Sequence, residues 1–272
     1  LEGISVSKVE YTYPNGMRAL KGISFDVRRS EAIAILGPNG AGKTTLIKLM
    51  NGLLKPTSGS VTIDGVDTKT VPVSKLARKV GIVFQNAEKQ FFAETVYDEL
   101  AFAPRNMGFQ QEQIDNMVKH IAHMFGIEQY LQRNPFSLSG GEKKRLSIAS
   151  VLVWDPTYVV IDEPTVGLDF RYRRLLVDMI RRIVAEGKTV IVVTHDVDFA
   201  LLTSQRCITL CDGTLLRDGP IFDVLSDESL IEKASLVQTF TLKIAKTLLS
   251  RGSRTDEVME VINVLNWGAG NT

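Results

Sequence analysis

Cysteine is nearly absent: the 272 residues include two, Cys207 and Cys211. They stand in the strand-like run Cys207-Ile-Thr-Leu-Cys211, which at ~3.3 Å per residue sets their Cα atoms about 13 Å apart, too far for a disulfide. A disulfide framework is excluded, and a reducing, cytoplasmic compartment is the expectation. An excess of one charge sign is missing too. Thirty-two Lys+Arg against 31 Asp+Glu leave a formal net charge of +1, so the overall balance calls for no nucleic acid and no anionic surface. Nor is there a long apolar run. A membrane-spanning helix needs roughly 20 mostly apolar residues, whereas runs such as Val151 to Trp154 and Val190 to Val193 are only a few residues long. No secretory signal opens the chain, and Leu1 in place of Met reads as a trimmed or processed start. What is present is ordinary globular usage, 44% hydrophobic and 23% charged, enough for one large domain or one domain with a small appendix.

Two β-prone runs, Ile4 to Tyr13 and Leu20 to Val27, flank Pro14-Asn15-Gly16, a turn signal that predicts an antiparallel piece. From Ala32 the pattern becomes apolar strands alternating with amphipathic helices, which implies βαβ units and a parallel sheet covered on both faces. The predicted strands are Ala32 to Leu36, Gly81 to Gln85, Tyr158 to Asp162 and Val190 to His195, followed by Arg206 to Cys211 and Thr214 to Leu216. Helices are predicted over Leu46 to Gly52, Val96 to Ala103 and Gln111 to Phe125, with Pro104 and Gly126 as breakers, and again over Ser235 to Ser250 and Asp256 to Leu265.

The string Gly37-Pro38-Asn39-Gly40-Ala41-Gly42-Lys43-Thr44-Thr45 follows an apolar strand and opens a helical run, the setting that gives G-x-x-x-x-G-K-[ST] its meaning as a phosphate-binding loop. Its glycines let several backbone N–H groups turn inward onto phosphate oxygens, and the helix N-terminus adds its positive end. Lys43 is placed to reach the β- and γ-phosphates of ATP, and Thr44 to ligate Mg²⁺. Such a loop needs a carboxylate for the metal and a group to direct water. Tyr158-Val-Val-Ile-Asp162-Glu163 offers both, with Asp162 as metal ligand and Glu163 as general base. His195, at the end of another apolar strand, is the candidate hydrogen-bond donor to the γ-phosphate.

Leu138-Ser139-Gly140-Gly141-Glu142, followed by a helix from Lys143 to Leu152 and then by Asp162, resembles the signature of the ATP-binding cassette (ABC) ATPases. The resemblance implies an α/β P-loop NTPase fold with an antiparallel β subdomain, an inserted helical subdomain at about 86–155 and a small C-terminal helical appendix. The nucleotide-binding domain would cover 1–225 and a dimerisation appendix 226–272. It further implies that Ser139, Gly140, Gly141 and Glu142 meet, in trans, the nucleotide held by another subunit's P-loop, so that two ATPs lie between head-to-tail chains. Tyr13 looks like the aromatic that stacks on adenine, Gln85 like the glutamine that senses Mg²⁺, and Gly167-Leu168-Asp169 like the loop that contacts the opposite subunit, with Phe170 where Pro is common.

The segment from Gln85 through Phe91, Phe92 and Val96 to Phe102 resembles the energy-coupling factor group of vitamin and metal-ion importers, with Lys89 where that group has an acid. Implied partners are a second ATPase subunit, the same or a related chain, together with a transmembrane coupling protein and a substrate-binding membrane subunit, on the cytoplasmic face of the membrane. The competing expectations are an ordinary ABC importer ATPase and a non-transport ABC ATPase of DNA repair or the ribosome. The repair type carries a long coiled coil between its phosphate loop and its second carboxylate motif, and no sustained heptads lie between Lys43 and Asp162. The ribosomal type carries two cassettes, and one set of motifs is present here.

Overall fold

A computed structural model describes residues 2–267, apart from the side chains of Ala87 and Glu88; residues 268–272 of the expected appendix lie outside the described set. Ten strands organise the described residues: β1 (Ile4–Thr12), β2 (Arg18–Val27), β3 (Ala32–Leu36), β4 (Ser58–Ile63), β5 (Val66–Asp67), β6 (Val80–Val83), β7 (Tyr158–Asp162), β8 (Thr189–Thr194), β9 (Arg206–Cys211) and β10 (Thr214–Pro220). They form a six-stranded sheet in the order β10-β9-β3-β8-β7-β6 and a four-stranded antiparallel sheet in the order β2-β1-β4-β5. Within the larger sheet every pairing is parallel except that of β9 with β10.

The parallel strands are mostly apolar because both faces are buried. Alternate residues divide between two cores. Ala34, Leu36, Val159, Ile161, Val190 and Val192 face one side, and Ile33, Ile35, Tyr158, Val160, Ile191 and Val193 face the other. The second face packs on α1 (Lys43–Met50) and the antiparallel sheet. The first packs on α3 (Val96–Asn106), α4 (Gln111–Phe125), α5 (Gly140–Leu152), α6 (Phe170–Ala185) and α7 (Val197–Thr203). Short α2 (Val73–Ala77) precedes β6. After β10 come α8 (Ile221–Ser226), α9 (Glu228–Lys233), α10 (Phe240–Ser250) and α11 (Thr255–Trp267). The last two seat Leu242, Ala245, Val258 and Ile262 in the first core.

Several predicted boundaries move. The strand predicted over Gly81 to Gln85 is β6, Val80–Val83, which leaves Gln85 in the turn beyond it. That predicted over Val190 to His195 is β8, Thr189–Thr194, which leaves His195 just past its end. Pro104 does not break α3 but lies within its last turns, where a missing N–H costs one helix bond and the chain is about to leave the helix. The final hairpin strand runs to Pro220, past an irregularity between Leu215 and Arg217. The helix expected from Ser235 starts at Phe240, since Ser235 takes φ +49°. Helices α5 and α1 start earlier than predicted, at Gly140 and Lys43: Ser139 caps α5 so that its two glycines form the first turn, and Gly42 stands directly ahead of α1. The regular elements at β4, β5, α2 and α6 through α9 are additions to the sequence reading.

Asp64 ties the antiparallel sheet to the parallel one. It sits in the two-residue β4–β5 hairpin with φ +49°, followed by Gly65 at φ +78°, the paired positive angles of a type I′ turn. Its carboxylate accepts from Lys79 Nζ (2.6 Å), the Gly3 amide (3.2 Å), Arg29 and the hydroxyl of Tyr158 on β7. Burial alone would raise its pKa, but the bonds from Lys79, Tyr158, Gly3 and Arg29 outweigh that and hold the carboxyl well below the usual range. Tyr158, buried and bonded to this carboxylate, is pushed up to about 12. A carboxyl depressed by folding stabilises above its unfolded pKa and loses that contribution as pH falls toward its folded value. Asp64→Ala is therefore expected to cost about 2 kcal/mol at pH 7 by denaturant unfolding. The gap from wild type should narrow as pH drops below the ordinary carboxyl value of 3.8; a gap that stays constant down to pH ~2 would separate stability from this ionisation.

Candidate functional site

Because β3, β8 and β7 are parallel neighbours, their carboxyl ends share one edge, with Leu36 opposite Thr194 and Asp162 opposite Val193. The loop Gly37–Gly42, the Thr194-His195 corner and the Asp162-Glu163 pair are thereby gathered at one place, where open α/β sheets bind ligands. A cavity of about 340 Å³ lies there, lined by Pro38 through Thr45 with Tyr13, Gln85, Asp162 and Glu163.

The loop's shape is a glycine requirement. Gly42, the residue ahead of α1, has φ +99°, and a Cβ there would lie 2.7 Å from both Ala19 O and Leu20 Cδ2. A Cβ on Gly37 would lie 2.2 Å from Leu210 O. No side chain caps α1 and no acid occupies its first turn, so its leading amides and their partial positive charge remain open to an anion. Lys43 is 7% exposed and folds back over the loop, donating to Gly37 O (2.6 Å) and Pro38 O (3.0 Å). Burial lowers its pKa, opposed by the nearby Glu163 and Asp162 charges; its Nζ is 3.9 Å from Glu163 Oε1.

Asp162 and Glu163 are both buried. The Asp162 pKa is raised by burial and by its anionic neighbour Glu163, and Thr44 Oγ1 donates to its Oδ2 at 3.4 Å. A hydroxyl and a carboxylate converging on one cavity are hard oxygen donors, a set that fits a small divalent cation whose remaining ligands are phosphate and water. Among the described residues no cluster of three or more His, Cys, Asp or Glu suggests an all-protein metal cage. Glu163 has φ +46°, a strained setting for a side chain bearing Cβ, fixed by its amide donating to Val193 O (2.7 Å). Its carboxylate accepts from Thr194 Oγ1 (3.1 Å) and pairs with His195 Nδ1 (3.0 Å). With Glu163 ionised, Nδ1 must carry the proton, so Nε2 of a neutral ring is an acceptor.

Of the predicted residues, Tyr13, Pro38 through Thr45, Gln85, Asp162 and Glu163 meet at this cavity; Gly37 supports it from behind through its contact with Lys43. His195 lies outside the lining and reaches the site through Glu163. Tyr13 is edge-on to Tyr11, with its hydroxyl bonded to Thr45 Oγ1 (2.9 Å). Ser139 and Glu142 form a reciprocal capping box at the start of α5, Ser139 N donating to Glu142 Oε2 at 2.8 Å. Together with Gly140 and Gly141 they lie outside this cavity. Asp169 caps α6, accepting from Tyr172 N at 2.9 Å. Sequence reasoning missed Thr194, the second donor to Glu163, and the cations Arg18 and Lys21, which line the cavity from β2. The signal for the cations was their place just after the Pro14-Asn15-Gly16 turn, on the strand that returns beside Tyr13.

The family model described as ABC transporter matches residues 20–166. An ABC transporter ATP-binding protein of Pyrococcus abyssi (strain GE5 / Orsay) is 42% identical over 262 residues, covering 96% of this chain and 100% of the relative. The energy-coupling factor transporter ATP-binding protein EcfA of Methanothermobacter thermautotrophicus is 38% identical, covering 95% and 84%. Among solved structures, cbiO1 of Clostridium perfringens, part of the ABC transporter complex cbiONQ, superposes with a TM-score of 0.77 at 32% identity, covering 94% and 98%. A dimeric post-hydrolysis ATP-binding cassette bound to ADP and Pi superposes at 0.71 with 30% identity, covering 80% and 98%.

The buried ammonium of Lys43 has only loop carbonyls and a distant carboxylate as partners, so an entering phosphate offers it a better one. Lys43→Ala is expected to weaken ATP binding by about a hundredfold or more in a fluorescence titration, two charge-assisted bonds being at stake. Unchanged affinity would take Lys43 out of phosphate contact.

Proposed function

This chain belongs to the ABC transporter family and is the ATPase subunit of a transporter, and from that premise we propose that it is the motor of an energy-coupling factor importer, taking up a vitamin or metal ion. The observation that carries the motor chemistry is the meeting of Lys43, Thr44, Asp162 and Glu163 on one cavity at the carboxyl edge of β3, β8 and β7. In the proposed mechanism Lys43 leaves the carbonyls of Gly37 and Pro38 for the β- and γ-phosphate oxygens, and the amides of the loop cradle the same groups. Thr44 and Asp162, with Gln85 beside them, would hold Mg²⁺, which supplies charge neutralisation on the phosphates when bound. Glu163 orients a water and takes its proton as the water oxygen bonds to the γ-phosphorus and the bond to the ADP oxygen breaks. Thr194 and His195 fix the carboxylate for that task. His195 can donate through Nε2 to the γ-phosphate once its ring is doubly protonated or its bond to Glu163 is released.

Tyr13 is proposed to release Thr45 and stack on adenine. Ser139, Gly140, Gly141 and Glu142 are proposed to meet the nucleotide of a second ATPase subunit, with Asp169 at the same contact. The domain reading is part of the proposal: nucleotide-binding domain 1–225, with the helical subdomain at about 86–155, and dimerisation appendix 226–272. Support for the importer reading comes from the EcfA and cbiO1 likenesses and from the loop after Gln85. There Glu99 is buried and accepts from the amides of Phe92 and Ala93, each at 3.1 Å, which turns Phe91 inward and Phe92 outward. Phe92 is 61% exposed and packs edge-on to exposed Phe102, a surface suited to a helix of a membrane coupling protein. No helix among the described residues is long and apolar enough to cross a membrane, so membrane attachment at the cytoplasmic face is assigned to those partners.

Glu163→Gln is expected to retain ATP binding, lower turnover by about a hundredfold or more and run as a dimer with ATP in gel filtration. Substantial hydrolysis by a clean preparation would remove Glu163 from the role of base. A mild-detergent pull-down from native membranes tests the importer reading. One coupling protein recovered with several small membrane binders, and lost with Phe92→Asp, is the expected result; a single dedicated permease would move the chain to an ordinary ABC importer.

A further inference from the structure

A second, larger cavity of about 560 Å³ lies at the opposite end of the parallel sheet, beside Ala32 at the start of β3, where α6 and α7 of the ATPase core meet α8 and the C-terminal α11. Its walls include the apolar side chains of Val184, Leu201, Ile221 and Met259, and its size is that of a small-molecule site. Two polar residues of the lining differ in what they offer a ligand. Ser204 is 6% exposed, and its buried hydroxyl oxygen has no hydrogen-bond partner in the protein. Arg181 is half-buried and donates from Nε to Leu202 O and from Nη2 to Asn263 Oδ1, each at 3.0 Å. Both acceptors are neutral. Among the described residues no carboxylate makes an ion pair with this guanidinium. Burial lowers the Arg181 pKa, with only partial compensation from the charge of Asp178.

The Ser204 oxygen is sealed off from the cavity and offers a ligand nothing, whereas a half-buried guanidinium bonded only to neutral oxygens favours an incoming anion. The ligand class follows from the count of charges. One guanidinium compensates one negative charge, and the lining's one acid, Asp223, is exposed on α8, which disfavours a dianion. The apolar walls call for an apolar body. We infer that this cavity binds a small amphipathic monocarboxylate, its head paired with Arg181, its body between the core helices α6 and α7 and the C-terminal helix α11. An occupant would join α11 to the ATPase core at a site remote from the phosphate loop, so its binding should be felt in the C-terminal helix.

The test uses the full chain with decanoate as probe and decanol as its uncharged counterpart, titrated by calorimetry below their aggregation limits. Saturable one-to-one binding of decanoate is expected, with decanol about tenfold weaker or worse. Arg181→Met should weaken decanoate by about tenfold and leave decanol unchanged. Val184→Trp, which fills the cavity, should abolish both. Arg181→Gln, a second neutral replacement, keeps the proposal testable if Arg181→Met fails to fold, and should weaken decanoate alone. Ser204→Ala, whose hydroxyl is sealed from the cavity, should leave decanoate affinity unchanged. Amide exchange in α11 should slow when decanoate is bound. Equal affinity for decanol and decanoate, binding that survives Val184→Trp, or unsaturable uptake would each overturn the proposal and mark the contact as adventitious apolar partitioning.

Discussion

Two adjacent carboxylates are buried at the end of one strand, and much of the site's design follows from the cost of burying that charge. Asp162 and Glu163 stand side by side, with Lys43 acting on both and Lys144 on Asp162. Burial raises the Asp162 pKa and lowers that of Lys43, so each would be eased by further opposite charge. A phosphate chain brought in with a divalent cation supplies both kinds of charge to the places where each is short. The strained backbone of Glu163 belongs to the same constraint. It separates the two carboxylates, sending one to Thr44 and the other to Thr194 and His195.

Such a pair can be held only by a rigid frame, which is the role of the doubly covered sheet. β7 and β8 are buried along their full lengths, and their side chains alternate between two cores, so a register slip would exchange every side chain between faces. The positions of Asp162, Thr194 and Leu36 are thereby locked to one another across strands far apart in sequence. Asp64 performs a related task at the other sheet, carrying the hairpin of β4 and β5 onto Tyr158 at the opposite end of β7. One strand thus bears the junction between the sheets at its start and the acidic pair at its end.

How far this was legible in the sequence depended on whether a residue's role is local or collective. The phosphate loop was readable because its glycines answer to backbone geometry: a Cβ on Gly42 would strike Ala19 and Leu20, and the spacing records that fact. The strands of the parallel sheet were readable from unbroken apolar runs. β4 was missed because four of the six residues of Ser58–Ile63 are polar or glycine. Pro104 misled because the cost of a proline in a helix depends on how near the helix end it falls. The consecutive phenylalanines 91 and 92 could not be separated by sequence, since a carboxylate seven residues beyond Phe92, Glu99, decides which of them turns outward. Thr194 and the half-paired Arg181 carried no motif, and only tertiary packing reveals what they face.

The signature segment shows how one set of residues answers to two readings. Within this chain Ser139 and Glu142 satisfy each other as a capping box, which alone would explain a serine and a glutamate three apart before a helix. A cap does not explain the two glycines between them. Gly140 and Gly141 occupy the first turn of α5, where glycine weakens a helix. Gly141 is forced, since a Cβ there would lie 2.5 Å from the Tyr172 ring, but nothing lies within 4 Å of a Cβ on Gly140. An exposed glycine with free space beside it, at a helix start, is what the proposed contact with a second subunit's nucleotide would use. Since the segment lies apart from the cavity at Lys43, a nucleotide touching both kinds of residue would have to lie between two chains, each presenting the half the other lacks.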